Sequence, residues 1–311
     1  MFGVVFALLS SFSFSMNSVF ARRGLALAAA SAGAFITVLM GVPLFLIAAG
    51  LTGQLSHASE LNLDGFVLLS TAGIAHFGVG RYCNYRAHSA IGVTRSDPVQ
   101  AFATPYAVLI AFVFLDESIT WAMAAAIAMI MVGPAVMVER RKAPAVVAQT
   151  SPGGDSGAPK AFEPRQAEGY LFAMFSVLAY GTSPILIRAA LADTEDLAVF
   201  GGFIAYTAAA AALILTLAHP RRRGLISEMR FSTVRLFLGA GLFSFLAQLF
   251  RFVALSLAPV AVITPLMRTS ALFTLVLSWA VNRHLEKITR RVVLGIFISV
   301  AGSLFLILVR Q

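Results

Sequence analysis

Charge is what this sequence has least of. Of 311 residues only 12% are Asp, Glu, Lys or Arg, while 59% are hydrophobic. A water-soluble domain carries about 25% charged and about 45–50% apolar residues. Too few polar groups are present to cover a water-facing surface, which excludes soluble enzymes and soluble binding modules. Cysteine is nearly missing. Cys83 stands alone, so an intrachain disulfide is ruled out, and its simplest role is a small residue at a helix contact. Acidic side chains number 14 and histidines 5. His57, His76, His88, His219 and His284 are dispersed, without the carboxylate clusters that an integral-membrane enzyme acting on lipid-type substrates would need. No metal or other cofactor is expected, and the chain is not expected to be an enzyme. The phosphate-loop pattern Gly-x-x-x-x-Gly-Lys-Ser/Thr is absent, which removes direct coupling to ATP, and no stretch resembles an ion-selective filter.

What is present is apolar sequence in long, unbroken runs, with a mean hydropathy of +0.86. About 20 apolar residues in a helix cross the hydrocarbon core, whereas a membrane β-barrel would show short alternating strands. The runs predict an all-α integral membrane protein of about ten transmembrane helices, over 2–21, 31–52, 65–87, 91–115, 119–138, 168–191, 197–218, 233–256, 260–282 and 290–309. The first run has no basic stretch before it, and Arg22 and Arg23 follow it; it reads as a retained helix rather than a signal peptide. The 23 basic residues, which give a formal charge of +9, sit in short clusters between runs. That pattern implies contact with membrane lipid and no nucleic-acid partner.

Residues 139–167 interrupt the pattern with Pro, Gly, Ser and charge, the composition of a flexible linker. The expected organisation is therefore a first five-helix repeat over 1–138, the linker, and a second five-helix repeat over 168–311. The two halves correspond residue by residue at nearly constant spacing. Gly3, Phe6, Ala7, Ser10, Arg22, Leu25 and Ala26 return as Gly169, Phe172, Ala173, Ser176, Arg188, Leu191 and Ala192. Ala87, Val93 and Pro98 return as Ala254, Val260 and Pro265, and Glu117, Ile119, Thr120, Ile127 and Gly133 as Glu286, Ile288, Thr289, Ile296 and Gly302. An odd number of helices per copy inverts the second copy in the membrane. Loop charges agree: Arg22 and Arg23 face Asp193, Glu195 and Asp196 at the matching loop, and Glu60 and Asp64 face Arg221, Arg222 and Arg223. Taken alone, the positive-inside rule puts both termini outside.

Those motifs carry a resemblance. The turns and helices LDESITWAMAAAIAMIMVG at 115–133 and LEKITRRVVLGIFISVAG at 285–302, with the half-opening helices ALLSSFSFSMNSVFARRGL and AMFSVLAYGTSPILIRAAL, resemble the EamA-type branch of the drug/metabolite transporter superfamily. The likeness covers nearly everything outside the linker. The first copy departs at Phe14-Ser15, where an aromatic-Gly pair is usual, and the second keeps Tyr180-Gly181. The resemblance implies a secondary transporter exporting small metabolites such as amino acids or analogues across the inner membrane, by alternating access around a central cavity. An uncoupled facilitator or channel is the alternative beside the membrane enzyme. Family descriptions place both termini inside, against the charge reading, and the orientation stays open. One chain holds both copies, so a monomer suffices and a homodimer is not required.

Polar residues inside lipid-depth runs must face protein or a wet cavity. Ser244, Gln248 and Arg251 share one helical face, as do Thr264 with Arg268 and Asp97 with Gln100 and Thr104. His76, Arg81, Tyr82, Tyr85 and Arg86 crowd the end of the third run, and Asn17 and Tyr180 lie in the opening helices. The expected substrate-binding set is Arg251, Arg268, Gln248, Tyr82, Tyr85, Arg81, Tyr180, Thr264, Gln100 and Asn17. The arginines suit a carboxylate or phosphate because the guanidinium fork matches it. Asp97 and His76 are the proton-coupling candidates, protons being the expected coupling ion. Structural readings stand beside these. Asp97 and Arg268 form an ion pair between helices, Arg81 and Arg86 snorkel to headgroups, and His76 is a hydrogen-bonded packing residue. Glu117 and Glu286 sit in the first turns of their own helices and favour the positive helix ends. Pro98, Pro105, Pro259 and Pro265 are candidate kinks in the fourth and ninth runs.

Overall fold

The computed structural model describes residues 2–25, 30–91, 99–115, 117–137, 165–216, 231–270, 272–273, 276–277 and 290–309. Among them there are helices and no strand. The helices are α1 (Phe2–Leu25), α2 (Ala30–Leu51), α3 (Leu63–Gly73), α4 (Arg81–Ile91), α5 (Ala103–Phe114), α6 (Trp121–Met137), α7 (Gln166–Ala190), α8 (Ala198–Thr216), α9 (Phe231–Leu257), α10 (Val260–Met267) and α11 (Arg290–Val309). Six described stretches are long and apolar enough to cross a membrane: Phe2–Ala21, Gly33–Leu51, Leu63–Asn84, Gln166–Ala190, Ala198–Leu215 and Thr233–Leu257. Ala103–Phe114, Trp121–Gly133 and Phe297–Val309 are shorter apolar helices. Large apolar side chains such as Phe112, Phe114, Leu215, Leu238 and Phe297 are exposed on the outside, as a lipid solvent allows. This is an all-α, multi-pass membrane architecture.

Three runs differ in detail from the sequence expectation. The third continues through α4 to Ile91, and α3 and α4 are joined by a wide π-helical segment, Ile74–Gly80, where the backbone bonds reach one residue further than in an α-helix. In the fourth, α5 begins after a turn in which the Phe102 N–H donates to the Val99 carbonyl at 3.0 Å. In the ninth, α10 ends at Met267, and the Arg268 and Thr269 N–H groups donate to the Pro265 and Leu266 carbonyls at 2.9 and 3.0 Å. Pro265 lies inside α10 and cannot donate, so the helix tightens and stops just beyond it. Pro259 is the N-cap of α10 and Pro105 falls in the first turn of α5; both start helices rather than kink them. Pro98 lies outside the described residues.

Packing repeats between the halves. α1 lies along α9, and α7 lies along α3, α4 and the π segment; α2 packs on α8, α5 on α10, and α6 on α11. Exchanging the halves leaves this pattern unchanged, and the atoms follow. The Ser10 hydroxyl donates to the Ala247 carbonyl at 2.7 Å, and its counterpart Ser176 donates to the Gly80 carbonyl at 3.0 Å. A Cβ on Gly133 would stand 2.6 Å from the Gly295 oxygen, and one on Gly302 would stand 3.0 Å from the Ala126 oxygen. The α6–α11 crossing is therefore backbone against backbone at both ends, the close approach that small residues permit in lipid.

Two placements correct the sequence reading. The Glu117 carboxylate does meet a positive helix end, but not its own: it accepts from the Val260 and Ala261 N–H groups at 2.7 and 2.8 Å, capping α10 in the other half. Its own helix is started by Thr120, whose hydroxyl accepts from the Met123 N–H at 3.2 Å. Arg86 does not snorkel alone. It pairs with Glu168 at 2.5 Å, which Arg165 also meets at 3.0 Å, and its guanidinium lies 5.7 Å from the Phe172 ring centre. Glu286 lies outside the described residues.

Candidate functional site

The π segment sets His76 beside α9. From α9 project Ser244, Gln248 and Arg251 on one face, all buried; Arg251 is 4% exposed and Gln248 fully covered. The Arg251 Nη1 donates to the Gln248 Oε1 at 3.1 Å and meets the His76 Nδ1 at 3.4 Å, while Nη2 donates to the Ser183 hydroxyl on α7 at 3.2 Å. A guanidinium only donates, so His76 offers a lone pair at Nδ1, and its neutral ring carries the proton on Nε2. The His76 ring packs against Tyr180 and Phe77, with centroids 4.7 and 4.8 Å away. Phe77 in turn lies 4.3 Å from Tyr206 of α8, and the Arg81 guanidinium covers it at 5.5 Å while donating to the Thr37 hydroxyl at 3.0 Å.

The π segment, α7, α8 and α9, with Arg81 of α4 and Thr37 of α2 at the edge, thus build one polar cluster inside an aromatic shell completed by Phe45, Phe245 and Phe252. His76, Tyr180, Tyr206 and Ser244 each stand within about one turn of the centre of their apolar spans. Arg251 lies two turns further along α9, still inside the apolar stretch. Among the described residues, none of the partners of Arg251 is a carboxylate. Burying a cation costs on the order of several kcal/mol unless an opposite charge answers it. Three more buried polar atoms, the Tyr206 hydroxyl, the Ser244 Oγ and the Gln248 Nε2, have no hydrogen-bond partner among the described residues. Tyr206 is near enough for Ser244, Arg81 and Arg251 to act on it, but Ser244 is not in hydrogen-bonding geometry with it.

A second network joins the broken ninth and fourth runs. Arg268 donates from Nε to the Thr104 hydroxyl and from Nη2 to the Gln100 carbonyl at 3.2 Å. The Gln100 Oε1 accepts from Ser176 at 3.2 Å, and its Nε2 has no partner among the described residues.

Of the residues expected to form the site, the structure brings Arg251, Gln248, His76, Tyr180 and Arg81 together, and Arg268 with Gln100. Tyr82 is 48% exposed with its ring edge-on to Phe172, and it is not a partner of Arg251. Thr264 and Asn17 are half-buried on α10 and α1, and neither bonds to Arg251. Asp97 and the side chain of Tyr85 lie outside the described residues. Sequence reasoning missed Tyr206 altogether and left Ser183 and Ser244 out of the binding set. A lone tyrosine at the middle of an otherwise apolar run was the available signal for Tyr206, since its hydroxyl has to face something polar.

No curated protein matches this chain. Among solved structures, 26 chains match; one, titled only "Crystal structure of protein", superimposes with a TM-score of 0.72 at 15% identity, covering 99% of this chain and 98% of its own. At that identity the likeness concerns the fold. The model of the EamA-like transporter family matches residues 1–138 and 167–308, two segments that leave out 139–166 and take in both polar networks. On that match the chain belongs to the EamA-like transporter family, whose members are membrane transporters of small molecules.

Proposed function

We propose that this transporter is a secondary exporter of small metabolites bearing an anionic group, amino acids or their analogues, across a bacterial-type inner membrane. In this reading 1–138 and 168–311 are inverted copies joined by the linker over 139–167, of which only 165–167 lie within the described residues. Alternating access takes place around a central cavity at the His76–Arg251 cluster. The observation that carries it is the buried Arg251, held by three neutral side chains from both halves. A carboxylate or phosphate oxygen would supply the missing counter-charge and engage the fork in a bidentate pair. Such a demand for an anion deep in the membrane is what a carrier has and a structural helix bundle avoids. The tight crossings α1–α9 and α6–α11 join one copy to the other, so the cluster is walled by both copies at once. Arg268 and Gln100, at the matching breaks in the fourth and ninth runs, form a second contact along the path. Asp97 or His76 takes up the coupling proton, and a monomer suffices.

The test is flux in proteoliposomes across amino acids, nucleobases and sugar phosphates, with and without a pH gradient, repeated with Arg251→Ala, Arg268→Ala and Asp97→Asn. Selective flux that fails in the arginine variants supports an anionic-group site. Loss of gradient dependence in Asp97→Asn assigns the proton there. Flux unchanged in folded Arg251→Ala sinks the site while leaving the transporter standing.

A further inference from the structure

The chemistry around Arg251 narrows what the anion can be. Among the described residues, the buried atoms of the cluster left without a partner can all donate: the Gln248 Nε2, the Ser244 hydroxyl and the Tyr206 hydroxyl, of which only the two hydroxyls can also accept. The charged groups are the Arg251 and Arg81 cations, both near enough to act on His76 and on Tyr206. Against these, the described acidic side chains all stand at helix ends or in turns. Glu60 and Asp64 precede or open α3, Glu168 opens α7 and is taken by Arg86 and Arg165, Glu117 caps α10, and Asp193 and Asp196 follow α7. An amino acid brings an ammonium as well as a carboxylate. In this cluster its carboxylate would find a fork and donors, and its ammonium would find two guanidiniums and hydroxyls, without a carboxylate among the described residues. A buried charge left without its opposite is strongly disfavoured, so the same site that attracts the carboxylate rejects the ammonium. A carbonyl or hydroxyl oxygen at that carbon would instead accept from the Gln248, Ser244 or Tyr206 donors. The aromatic shell of Phe45, Phe77 and Tyr206 suits an apolar remainder.

We infer that, of the amino acids and analogues named above, the site takes the analogues that lack the ammonium group, 2-oxo or 2-hydroxy acids with an apolar side chain, and discriminates against the matching amino acids. This rests on Arg251 being the substrate site. The test uses the full-length protein and matched sets that differ only at the α-carbon: 4-methyl-2-oxopentanoate, 2-hydroxy-4-methylpentanoate and leucine; phenylpyruvate, phenyllactate and phenylalanine. Counterflow in proteoliposomes and thermal stabilisation in detergent are read for each. The oxo or hydroxy acid should exceed its amino acid by about tenfold or more in both readouts, the least that an unpartnered buried charge should cost. Arg251→Ala should abolish that preference. Asp97 is the one acidic residue well inside a predicted apolar run, so it is the remaining place for an ammonium. Amino acids equal to or better than their partners, above all if Asp97→Asn removes them, overturn the inference while leaving Arg251 as the anion site. A preference for the oxo or hydroxy acid that survives in folded Arg251→Ala overturns it together with that site assignment. Stabilisation and flux by no member of either set overturn the choice of substrate class.

Discussion

Arg251 is a residue held against its own solvation. Its cation is buried, its partners are neutral, and the fold tolerates this because the position has another use. Arg251→Met, similar in length and without charge, should therefore raise thermal stability by about 1–2 kcal/mol in detergent while flux falls to background. A variant that loses both stability and flux would mark Arg251 as a structural strut. His76 makes a second residue-scale prediction. It serves Arg251 as an acceptor at Nδ1, within reach of Arg81 and Tyr180, so a proton at Nδ1 would release the guanidinium from the ring. His76→Gln keeps an acceptor without a titrating group. It should retain flux while losing most of its response to a pH gradient, read by comparing counterflow with gradient-driven uptake. An unaltered gradient response would move the coupling role away from this ring.

At the scale of elements, the short helix α10 is held by a carboxylate from the opposite half. Glu117 meets two of its first N–H groups, satisfying donors that the start of a helix leaves open. Glu117→Ala should cost about 1–2 kcal/mol and Glu117→Gln about half of that, since one oxygen remains to accept; thermal unfolding of the purified protein measures both. The sequence placed Glu117 at a helix start but could not say which helix, because the Glu-x-Ile-Thr turn is followed at once by α6 and the capped end lies 143 residues on. The α6–α11 crossing gives a second prediction. A side chain at Gly133 would collide with the Ser299 hydroxyl and the Gly295 carbonyl, so Gly133→Val should destabilise the protein by about 1–3 kcal/mol. Substrate selectivity in the folded fraction should not change, because neither polar network includes α6 or α11.

Across the whole molecule, the exchange symmetry of the contacts means that each half is completed by the other. α1 needs α9, α7 needs α3 and α4, and the three central pairings α2–α8, α5–α10 and α6–α11 all cross between halves. Residues 1–138 and 167–311 expressed as separate chains should assemble when made together and restore flux, and either alone should be degraded; copurification and proteoliposome flux check this. Restoration would support the division at the linker, whereas failure with both fragments stable in the membrane would give the linker a role of its own.

The sequence by itself determined the solvent, the helical class and the repeat. Hydrophobic run length answers to bilayer thickness, and residue-by-residue recurrence is visible without any coordinates. It also singled out Arg251, Gln248, His76 and Arg268, because a charge or amide inside an apolar run is conspicuous wherever it points. Only the tertiary structure decided which of these meet. Tyr206, Ser183 and Ser244 joined the cluster through packing between α7, α8, α9 and the π segment, and the widening at Ile74–Gly80 has no local signature in its residues. Arg86 found Glu168, and Glu117 found α10, through contacts between distant parts of the chain. Burial in lipid makes polar groups seek partners, but the partner is chosen by how helices cross, which the order of residues along one helix does not specify.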